Sequence, residues 1–95
     1  MYDRGQALQQ AANLRNAIGN SQAEGNIEQR DANTLLHLVD EIDNALAKDD
    51  GNAAARAAQK LADQVDKFVN QNKLANPFEL QQTISKLQSA LPAPK

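Results

Sequence analysis

The chain contains no cysteine, which excludes disulfides, thiolate catalysis and cysteine-based metal sites together. Aromatic side chains are nearly missing as well. Tyr2, Phe68 and Phe78 are the only three, and there is no tryptophan. A sugar site built on aromatic platforms therefore has only Tyr2 to draw on as an exposed ring. An excess of basic charge is lacking too: ten Lys and Arg stand against twelve Asp and Glu, a net charge of −2. That balance argues against a general nucleic-acid binder, which needs a basic surface to displace phosphate counterions. No apolar run approaches the roughly 20 residues of a membrane span, so no membrane insertion by this segment is expected. The N-terminus shows no signal-peptide core, although Met1 would also suit a start codon placed on an excised domain.

What the chain has in quantity is alanine, at seventeen residues, and Asn plus Gln, at twenty-one. Alanine lets helices approach closely but buries little area per residue. A surface rich in amides and poor in charge points weakly to a cell-surface or secreted setting. Ninety-five residues make one small domain, with an expected stability on the order of 5–10 kcal/mol.

An internal repeat organises the pattern. Ala7, Ala11, Leu14, Ile18 and Ile27 recur 47 positions later as Ala54, Ala58, Leu61, Val65 and Leu74. The match then resumes at an offset of 45: Leu35, Val39, Ile42, Ala45 and Leu46 become Leu80, Ile84, Leu87, Ala90 and Leu91. Such self-similarity means one helix–loop–helix unit used twice. Unit one spans about 7–48 and unit two about 53–91, with a short proline-containing tail at 92–95.

Within each unit the apolar spacing is helical. The first helix is predicted over 3–20, where Gly19-Asn20 and then Gly25-Asn26 end it and open a loop. Ile27, alone in that loop, should tuck under the bundle as a plug, and Leu74 should do the same in unit two. The second helix, 29–48, carries an apolar arc wide enough to touch two neighbours. Asp50 or Asn52 is placed to cap the third, 53–71, on which Asp63 and Lys67 have the spacing of an ion pair. Asn76-Pro77-Phe78-Glu79 reads as a helix start with Asn76 at the N-cap, the last helix running to about Leu91. The fold expected is all-α, an antiparallel four-helix bundle of two tandem repeats.

Gly25-Asn26-Ile27, then Ala32, Leu35, Val39 and Ile42, then Gly51-Asn52 and an alanine-rich run to Leu61, Val65 and Phe68 resemble a known pattern. It is a small helical repeat found near the C-termini of secreted and surface-anchored bacterial proteins. The FIMAH domain is a named version, and related repeats occur in ectodomains of actinobacterial serine/threonine kinases. The resemblance covers roughly residues 11–91, with Asn72-Lys73-Leu74 standing where the pattern has Gly-x-Ile. It implies a spacer, sensor or binding role outside the membrane and supplies no ligand residues.

Candidate chemistry is sparse. His37 is the only histidine and by helical phase lies with Glu41 away from the apolar stripe, so no metal site and no cofactor is expected. The acids ahead of Gly51 fail the alternate spacing of a calcium loop. Ser21, Ser85 and Ser89 have no base in pattern. Phe68 and Phe78 are expected in the core, and exposure of either would mark a docking groove. The candidate partner surface combines Leu36 and Leu38 with the acids Asp40, Glu41 and Asp43.

Two functions fit these observations. The first is a non-catalytic, extracytoplasmic module of a bacterial surface or membrane-anchored protein, meeting a protein or cell-wall partner. The alternative is an intracellular adaptor bundle that binds an amphipathic partner helix, with a weak homodimer as its simplest version and Leu36 and Leu38 as its cue.

Overall fold

The computed structural model describes residues 2–92 and is an all-α, antiparallel four-helix bundle. Helix α1 spans Arg4–Ala23, α2 Gln29–Ala47, α3 Gly51–Asn70 and α4 Phe78–Ser89. Packing joins α1 to α2, α2 to α3, α3 to α4 and α4 back to α1, so the helices stand at the corners of a square in chain order.

The repeat is visible in the burial. Leu14 and Leu61, Leu35 and Leu80, and Ile42 and Leu87 are all wholly shielded from solvent. Ala7 with Ala54 and Ala11 with Ala58 are equally enclosed, which lets the backbones close on one another. All four helices contribute to one continuous apolar cluster. The two plugs meet. Ile27 and Leu74 form an isolated antiparallel bridge, and the Ala75 N–H donates to the Asn26 carbonyl at 2.8 Å. Residues equivalent by the repeat thus touch at one end of the bundle, as a two-fold relation between the units requires.

Three helices stop in the same way. After α1 the N–H of Asn26 reaches the Ser21 carbonyl and that of Gly25 the Gln22 carbonyl, with Gly25 at φ 76. After α3, Lys73 bonds Phe68 and Asn72 bonds Val69, with Asn72 at φ 59. After α2, Asp50 bonds Ala45 and Asp49 bonds Leu46, with Asp49 at φ 55. Each is a Schellman motif, which needs a left-handed residue just past the helix. Asn72 is the repeat equivalent of Gly25, and asparagine is among the few side chains that tolerate this conformation.

Several expectations need correction. Gly19 and Asn20 do not end α1, which continues one turn to Ala23 because Ser21 is drawn into the interior and Gly25 supplies the stop. Asn76 does not cap α4. It lies at φ 46, Pro77 occupies the N-cap, and the first turn closes through Gln81 N–H to Pro77 O at 2.9 Å. Asp50 rather than Asn52 caps α3, accepting from the Ala53 N–H at 3.0 Å. Asp63 accepts from Gln59 at 3.0 Å instead of pairing with Lys67, since surface ion pairs gain little over an amide partner. Phe68 is core, but Phe78 is 65% exposed. Pro92 follows the last helix, and the remainder of the predicted tail, 93–95, lies outside the described residues.

Gly19 is then a glycine in a helix interior, and nothing lies within 4 Å of the place its Cβ would occupy. Gly19→Ala is therefore expected to stabilise the bundle by about 0.5–1 kcal/mol, read as a rise of several degrees in the melting temperature.

Candidate functional site

The acids of α2 do not stand free. Arg15, half-buried on α1, reaches across and donates through Nη2 to Asp40 Oδ1 at 2.7 Å and to Asp43 Oδ2 at 2.8 Å. The two carboxylates hold the guanidinium still more firmly protonated, first through the Asp40 hydrogen bond and then through that to Asp43. All three side chains are more than a third exposed, so solvent screens the pair and each bridge is worth about 0.2–1 kcal/mol. Its main effect is to fix α1 against α2. Glu41 points away from this pair and remains exposed, as does His37.

Leu36 and Leu38 are separated by two residues, about 200° around the helix, and flank opposite sides of the buried stripe. Both are partly buried against the core. Leu38 belongs to a shallow groove of about 340 Å³ between α2 and α3, lined also by Lys60, Asp63, Gln64 and Lys67. The wide apolar arc of α2 is therefore shared between two intramolecular neighbours, with Leu36 and Leu38 left partly open at its two edges. Helical phase groups Leu36 with Asp40 and Asp43 on the α1 side of α2, and Leu38 with Glu41 on the α3 side.

Tyr2 is not a free platform either. Its ring packs on Gly51, where an added Cβ would sit 2.6 Å from Tyr2 Cε1 and 3.0 Å from Pro92 Cγ. Its hydroxyl donates to Asp49 Oδ1 at 2.8 Å. That hydrogen bond, with some burial and the charge of Asp49, raises the phenol above its usual value near 10. A group raised in the folded state stabilises it fully below its unfolded value and loses that contribution as pH climbs through the folded one. The prediction is that the single tyrosine ionises above pH 10, followed by phenolate absorbance. Asp49→Gly, which removes the acceptor and suits the positive φ, should bring the midpoint back toward 10.

Comparison with protein-family models, with curated proteins and with solved structures finds no match to this chain. The site has to be read from its own residues.

The arginine clamp was not found by sequence reasoning, because its partners lie 25 and 28 positions away. The repeat itself holds the missing signal. Offset into unit two, Arg15, Asp40 and Asp43 correspond to Ala62, Ser85 and Gln88. Those three residues, with Asp66, Gln81 and others, line an open cleft of about 260 Å³ between α3 and α4. Where unit one is closed by charge, unit two is open and mostly neutral. The exposed large apolar side chains, Leu8 and Phe78, sit near opposite ends of the bundle. Each is isolated, which ordinary soluble surfaces tolerate.

Charge separates the two units more sharply than any cleft does. Residues 1–50 hold four basic and nine acidic side chains, a net of −5, whereas residues 51–95 hold six basic and three acidic, a net of +3. The overall −2 conceals an acidic half and a basic half of one pseudo-symmetric body.

Proposed function

We propose that this chain is a non-catalytic, extracytoplasmic helical module of a bacterial surface or membrane-anchored protein, and that it works by protein contact. The observation carrying this reading is the placement of the two ends. Tyr2 and Pro92 both lie against Gly51, so any flanking chain enters and leaves at one end of a body 37 Å long and about 20 Å across. A module tethered in that way displays its far end and its sides. It adds little length in series, which favours interaction over a stalk or spacer role. The resemblance to FIMAH-type and kinase-ectodomain repeats supports the extracytoplasmic placement, as does the amide-rich surface.

Accessibility on whole cells tests the reading. An epitope inserted into the 24–28 loop, at the displayed end, should be detected on intact cells of the source organism. Detection only after permeabilisation would return the chain to the intracellular adaptor class. That alternative draws on Leu36 and Leu38, which are partly buried against the core and partly open to solvent.

A further inference from the structure

We infer that the α2/α3 face is a self-complementary docking surface whose partner is a second copy of this chain. The inference deepens the contact role proposed above and rests on it. The two helices of this face carry the opposite charges of their units side by side. On α2, Glu41 is exposed and pairs with nothing among the described residues. On α3, Lys60 and Lys67 are exposed and equally unpaired there. They line the groove that also contains Leu38 and one acid, Asp63, which accepts from Gln59.

The register suits a two-fold pair. At 1.5 Å per residue, Glu41 on α2 and Lys60 on α3 both lie roughly 12–15 Å from the 48–50 turn. A two-fold axis parallel to the helices sets α2 of one copy over α3 of the other, antiparallel, with Glu41 level with the partner copy's lysine. The same operation brings the reciprocal pair together, so the contact is closed and stops at two copies. The half-buried Leu38 side chains then lie toward the centre with charges around them, the arrangement of a small wet interface. Stacking α2 on α2 would set Glu41 toward its own copy. Stacking α3 on α3 would set Lys60 and Lys67 toward theirs, with Asp63 the one acid of the groove. Charge therefore favours the α2–α3 pairing.

Sedimentation of the full chain at low and high salt tests the proposal. A dimer is expected at a few hundred micromolar protein and low ionic strength, with its dissociation constant rising at least tenfold in 0.5 M salt. Glu41→Lys should make one variant monomeric, and Lys60→Glu with Lys67→Glu another, because each places like charges opposite. Mixed together, the two variants should form a heterodimer, since one face is now predominantly basic and the other acidic. These residues are exposed, and unchanged circular dichroism of each variant confirms that folding is intact. A monomer at every salt concentration overturns the proposal, as does self-association that ignores both charge reversals. Neither result touches the epitope measurement, so failure of self-pairing and failure of the contact module are told apart.

Discussion

Leu14→Ala is expected to cost about 3–5 kcal/mol, because a side chain with no solvent exposure leaves a cavity that rigid neighbouring helices cannot close. The total stability of a chain this size is on the order of 5–10 kcal/mol, so the variant should stand close to unfolding at ambient temperature. Its repeat equivalent Leu61 is equally buried, and Leu61→Ala should cost a similar amount. Chemical denaturation of the two variants checks both numbers. A difference of several kcal/mol between them would mean that the units do not share one core in equal parts.

The second large effect comes from separating the units. Peptides 1–50 and 51–95 should each fail to show a cooperative thermal transition by circular dichroism. Each unit presents one apolar side and no second layer to cover it. Leu14, Leu35 and Ile42 of unit one are enclosed only because unit two lies against them within the shared cluster. The loop plugs make the same point. Ile27 is shielded next to Leu74, and neither loop has an internal partner for it. Residual helix in the alanine-rich second peptide is compatible with this result, since helix propensity alone gives gradual melting.

The architecture was legible because burial in a helix follows a period, and the chain states that period twice. Every matched apolar pair from Ala7 with Ala54 to Ile42 with Leu87 is buried in both members. Helix ends were legible where a single left-handed residue decides them, as at Gly25. They were misread where composition and tertiary context compete. Gly19 looked like a terminator, yet burial of Ile18 and Ser21 carries the helix through it. Asn76 has the chemistry of a cap but a backbone turned to φ 46, directly after the Ala75 amide that bonds Asn26.

The surface was less readable. Periodicity says which residues face inward and nothing about which long side chains meet across helices. Arg15 joins Asp40 and Asp43 through space, and Leu36 and Leu38 are shared between two packing contacts. Phe78 shows the limit from the other side: two positions before buried Leu80, it opens α4 on the face opposite the core and stays exposed. The opposite charge of the units was present in the sequence throughout. It gained meaning only once the repeat placed equivalent residues on equivalent faces.

Native-state hydrogen exchange on the intact chain tests most directly whether the two repeats form one cooperative body. Core amides of α1 and α2 and those of α3 and α4 are expected to share the same highest opening free energy, with the Ala75 amide protected through its bond to Asn26. If α3 and α4 exchanged through an opening that left α1 and α2 protected, unit one would be able to stand alone. The account of a bundle held together by reciprocal burial would then be wrong.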